Sequence, residues 1–159
     1  MTWRMIGKPF ATADMVGTPT ISQKVLLPND CVLKAVRAGV IQYANPAWTN
    51  LTMKIYSDRS GVIGKLLHTS TTLVLKAAFS TLDHAYKETY FDFDYPVLKG
   101  GDSYHFVLSA SGYTGNDSAH LAWRTAYPDP VYRTGFTPTA ANADNHPLDI
   151  HLLTSRIRS

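Results

Sequence analysis

A chain of 159 residues is about one domain's worth of sequence and long enough to bury a real core. Hydrophobic residues make up 45% and charged residues 17%, which excludes a disordered chain or a coiled coil and suits a compact body with a surface rich in Thr, Ser, Asn and Tyr. The formal charge of +3 is mild and the basic residues are scattered apart from Arg156 and Arg158, so there is no basic stripe with interleaved aromatics and no nucleic-acid partner is expected.

The first residues, Met-Thr-Trp-Arg-Met-Ile-Gly-Lys, lack the apolar stretch of a secretory signal, so the chain is expected to be made in the cytoplasm and to mature without export. Residues 1–20, broken by Gly7, Pro9, Gly17 and Pro19, are an expected arm or edge strand with a short strand from Phe10 to Val16. Residues 21–159 are the expected single β-sandwich domain. Ile21 to Leu27 predicts a strand stopped by Pro28-Asn29-Asp30, and Cys31 to Tyr43 a longer one. In the longer strand Cys31, Leu33 and Ala35 are apolar in one phase, then Val36, Ala38 and Val40 in the other. A bulge near Ala35 restores a single buried face, and Gly39 eases a bend. Cys31 is the one cysteine, so no intrachain disulfide or cysteine-based zinc site forms, and it is expected in the core.

Leu51, Met53 and Ile55 then alternate with Thr52, Lys54 and Tyr56, so this run has one face to bury and one to wet. A turn over Ser57 to Gly61 leads to Gly64-Lys65-Leu66-Leu67, and Leu73 with Leu75 marks another strand. Ser80-Thr81-Leu82-Asp83 has the form of a helix N-cap and predicts one helical turn. Phe91 and Phe93 alternate with Tyr90, Asp92 and Asp94; Tyr104, Phe106 and Leu108 alternate with His105, Val107 and Ser109. Leu121 and Trp123 share a face, as do Leu148, Ile150 and Leu152. The fold class that follows is all-β: an antiparallel β-sandwich, jelly-roll-like, of about eight or nine strands with at most one short helical turn. No segment approaches the ~20 apolar residues of a membrane helix, which predicts no membrane insertion.

Chemistry-bearing constellations are weak. Asp92 and Asp94 fall roughly 7 Å apart on one strand face, a gap a glycosidase could use, but they alternate with buried phenylalanines and are the wet face of that strand. Ser57, Asp58 and Ser60 could offer oxygens to a cation, yet a turn needs them for its own hydrogen bonds. The six histidines show no paired ligand spacing, and His105 and His151 are expected on solvent faces opposite the buried sets. There is no nucleophile elbow and no phosphate loop. The expectation is no enzyme, no catalytic residue, no metal and no cofactor. Aromatics carry the best signal: Tyr113, Trp123, Tyr127 and Tyr132 are candidates for stacking on a ligand. Tyr127, Tyr132 and Phe136, on a long aperiodic stretch from Ala126 to Pro147, are candidate interface anchors.

The run Ile55-Tyr56-Ser57-Asp58-Arg59-Ser60-Gly61-Val62-Ile63-Gly64 resembles the strand, x-Asp-x-x-Gly-x-Pro-Gly hairpin of jelly-roll modules in phage tail or fibre proteins and bacterial surface proteins, with Ile63 where the pattern favours Pro. Phe91-Asp92-Phe93-Asp94-Tyr95-Pro96-Val97, followed by Gly100-Gly101 and Tyr104 to Leu108, is similar to their Phe-x-Phe-x-x-Pro-Val signature, with a turn one residue short. The resemblance covers about Leu51 to Trp123. It implies a non-enzymatic structural or accessory component of a virus particle, a phage tail, fibre or capsid-surface protein, made in the host cytoplasm and located in the virion. The implied partners are other virion proteins and the chain itself as a homo-oligomer, with a cell-surface glycan as a further partner. The alternative is a carbohydrate-binding module.

Overall fold

In a computed structural model the described residues are 2–5, 7–16, 18–79, 85–128, 137–138 and 150–156. The strands are β1 (Thr2–Met5), β2 (Gly7–Asp14), β3 (Thr20–Leu26), β4 (Cys31–Tyr43), β5 (Asn50–Arg59), β6 (Val62–Thr69) and β7 (Val74–Leu75). After a 3-10 turn at Lys76–Ala78 come β8 (Ala85–Asp92), β9 (Val97–Leu98), β10 (Ser103–Ala110), β11 (His120–Pro128), β12 (Thr137–Pro138) and β13 (Ile150–Arg156).

Eight of these strands make a jelly roll. One sheet runs β2-β11-β4-β8 and the other β3-β10-β5-β6, all antiparallel. In order of appearance these are strands 1-8-3-6 and 2-7-4-5, the interleaving produced by folding one long hairpin over itself in two Greek keys. The remaining strands extend this frame. β13 takes the stretch of the β4 edge that β11 leaves uncovered, β11 pairing with Val40 to Tyr43 and β13 with Cys31 to Ala38. β1 adds to β13, β9 to the start of β4, β7 to β5 and β12 to β3.

The long strand β4 contains the expected bulge. Against β13 the register runs from Ala35 opposite Leu153 to Leu33 opposite Thr154, skipping Lys34, which turns Leu33 and Val36 to the same side. Cys31, Leu33, Val36, Ala38 and Val40 are all buried in the core. From the facing sheet Met53, Ile55, Phe106 and Leu108 meet Phe91, Leu121, Trp123 and Ile150, each fully removed from solvent. Trp48 closes one end edge-on to Phe79 at 5.4 Å and donates its indole N–H to Gln42 Oε1 at 2.8 Å. The return between β9 and β10 depends on two glycines. A Cβ on Gly100 would sit 2.6 Å from the Asn29 backbone, and Gly101 holds φ at +82°.

Several expectations are corrected. His105 does not face solvent: it is 1% exposed, and His120 is also buried, its ring 4.7 Å from that of Tyr43. A strand does form beyond Leu73, but Val74 is the residue that packs on the core while Leu73 and Leu75 stay exposed. Helical geometry occurs at Lys76–Ala78; Ser80 to Asp83 and Leu148 lie outside the described residues.

Candidate interaction surfaces

Apart from Val16, every exposed large hydrophobic among the described residues falls into one of two groups. The first belongs to β6 and β7. An edge strand of a sandwich ordinarily buries one face, but β6 is exposed on both, with Val62, Ile63, Leu66 and Leu67 all open to solvent. Its register explains the arrangement. Leu66 stands opposite Tyr56 and Ile63 opposite Asp58, so β6 spends an extra residue between them, a bulge that leaves Ile63 and Leu66 on one face although they are an odd number of residues apart. Tyr56 and Asp58 are out of phase with buried Leu51, Met53 and Ile55, so this face points away from the other sheet. Leu75, opposite Asn50, continues the same row. The row therefore spans the length from Asn50 to Asp58, roughly 27 Å at strand spacing. Val62, Leu73 and Leu75 are 61%, 57% and 56% exposed, which is far more than isolated surface leucines need be.

The charges around this row are basic. Residues 50–79 carry Lys54, Arg59, Lys65 and Lys76 against Asp58 alone. Asp58 is occupied within the fold: its Oδ1 accepts from Gly61 N–H at 3.2 Å and from His105 Nε2 at 2.8 Å, and its Oδ2 lies 4.0 Å from Lys24 Nζ. The His105 hydrogen bond holds the Asp58 carboxyl below its ordinary pKa. Among the described residues, buried His105 Nδ1 has no hydrogen-bond partner. Together with the Lys65 N–H donated to Ser57 Oγ at 2.8 Å, these contacts lock the β5–β6 hairpin onto β10 and hold the apolar row in place. On β6, burial pushes the His68 pKa down.

The second group lies on the outward face of the other sheet. On β8, Tyr86, Glu88, Tyr90 and Asp92 alternate with Thr89 and Phe91, both buried. Beside them Tyr95 is held at φ +51°, a left-handed conformation that costs of order 1–3 kcal/mol for a bulky residue. Lys34 Nζ donates to its hydroxyl at 3.1 Å and sits 5.0 Å from its ring centroid; that hydrogen bond keeps the Lys34 ammonium above its usual pKa. Arg37 is placed between Glu88, at 3.7 Å, and His151 Nδ1, at 2.6 Å. Exposed Val97 extends the group.

The residues singled out from sequence are differently placed. Trp123 is completely buried and offers no face to a ligand; its place beside Leu121 is in the core. Tyr113 is a tie between strands, donating its hydroxyl to Met15 O at 2.6 Å and accepting from Leu121 N–H at 2.9 Å. Tyr127 falls on β11, described there in its backbone alone, while Tyr132 and Phe136 lie outside the described residues. Asp92 and Asp94 are exposed. The signal that could have found the first surface is the pairing of apolar residues in adjacent positions, Val62-Ile63 and Leu66-Leu67, which no one-faced strand accommodates. No protein-family model matches the chain, and no curated protein sequence does either. No helix among the described residues is long and apolar enough to cross a membrane.

Proposed function

We propose that this chain is a non-enzymatic structural module of a virus particle, a phage tail, fibre or capsid-surface component held in place by contacts with neighbouring subunits. The observation that carries this reading is β6, a strand kept apolar on both faces at the edge of a sandwich whose core is otherwise closed. Such a strand exposes apolar area together with a backbone edge that no other described strand pairs, and a subunit covers both on assembly. The resemblance of Ile55 to Gly64 and of Phe91 to Val97 to phage jelly-roll modules points the same way. The test is cross-linking mass spectrometry on purified particles from the producing host: peptides of this chain linked through Lys54 or Lys65 to another particle protein or to a second copy support the reading, and absence of the chain from particles overturns it.

A carbohydrate-binding module is the second reading, favoured by the exposed rings of Tyr86, Tyr90 and Tyr95 on one sheet face, since aromatic faces stack on sugars. Glycan-array binding lost in Tyr90→Ala would put it first.

A further inference from the structure

The two surfaces fit one another. The β6–β7 face is apolar with four basic residues around it against Asp58, which is already bound by His105 and Lys24. The β8 face is aromatic, and along it Glu88, Asp92 and Asp94 stand against Lys34 and Arg37, with Lys87 on the other phase of the strand; Arg37 and Glu88 offset one another and Lys34 donates to Tyr95, which leaves an excess of one acidic residue. Two β6–β7 faces brought together would set Lys54 and Lys65 against the same basic residues, which disfavours that symmetric pairing. The β6–β7 and β8 faces attract one another by charge, and each supplies large side chains for the other to cover. They point in opposite directions, because each is the outward side of a different sheet. A membrane surface suits the basic face poorly, since the open backbone edge of β6 would lose its water there without gaining partners.

The geometry points to head-to-tail association: the β6–β7 face of one copy docks on the β8 face of the next, burying the row of Ile63, Leu66 and Leu75 against Tyr86, Tyr90 and Tyr95. Such a contact is heterologous, so it does not close on a pair; it repeats into a ring or a filament. This inference rests on the assembly reading above and deepens it by naming the partner as a second copy.

Two variants of the full chain separate this geometry from a symmetric dimer. Ile63→Thr with Leu66→Thr disables the first face, and Tyr86→Thr with Tyr90→Thr disables the second. In sedimentation velocity the native chain should form species beyond a dimer, growing with concentration and weakened by added salt. Each variant alone should be monomeric, at least tenfold weaker in association, and an equimolar mixture should form a one-to-one heterodimer and nothing larger, through the one intact face that each retains. A variant that still dimerises alone, a mixture that stays monomeric, or a native chain that stays monomeric at its solubility limit overturns the inference. Near-UV circular dichroism checks folding, and if the tyrosine variant unfolds, Asp92→Asn with Asp94→Asn replaces it, with the same outcomes. Particle analysis keeps the two ideas apart. A chain present in particles but monomeric in solution overturns the head-to-tail contact alone, whereas a chain that self-associates but is absent from particles overturns the virion reading alone.

Discussion

β10 and β6 are both eight residues long, both rich in apolar side chains and both in the same sheet, yet they end in opposite environments. β10 lies between β3 and β5, and Tyr104 to Leu108 are buried without a break, including His105 and Val107 on the outward phase. Among the described strands β6 pairs with β5 alone, and it keeps no fully buried residue. The difference is position in the sheet, because burial comes from neighbours and an edge strand has half as many. The lesson is that the apolar content of a strand reports how much surface it can give to a contact. Whether that contact is inside the molecule or outside it depends on where the strand falls.

Large-to-small substitutions should separate the two environments sharply. Trp123→Ala or Phe106→Ala empties a fully buried site and should cost about 3–5 kcal/mol in denaturant unfolding. A loss below about 1 kcal/mol would mean the sheets are not packed through these rings.

A change of pH should act on the β5–β6 hairpin, through His68 and through the Asp58 tie to β10, before it reaches the core. Burial lowers the His68 pKa and the His105 hydrogen bond lowers that of Asp58, so for both groups the unfolded chain binds more protons than the folded one. Stability is therefore expected to fall as pH drops, first below about 6.5 through His68 and again below about 4 through Asp58. Asp58→Asn should flatten the second step. Urea midpoints at a series of pH values measure both, and an unchanged acid limb in Asp58→Asn would detach that step from the hairpin tie.

The smallest effect should come from the edge. Leu66→Ala is expected to change monomer stability by no more than about 0.5 kcal/mol, because little of the side chain is buried to begin with. A loss as large as that of Phe106→Ala would show that the β6 face is covered within the monomer and would remove it as a docking surface.

Much of the fold was legible in residue order. Alternation placed the inward faces of β5, β10 and the Phe91 and Phe93 run correctly, and the phase break in Cys31 to Tyr43 announced the bulge that the structure has at Lys34. These readings work because a strand's two faces are set by backbone geometry, which acts locally on successive residues. The surfaces were not legible in the same way. Trp123 has the composition of a ligand platform and is core; His105 has the phase of a solvent-facing residue and is enclosed. Strand order decided both. Which strand becomes an edge, which outward face is covered and which charges end up around an apolar row depend on contacts between residues far apart in the chain, and periodicity along the sequence carries no record of them.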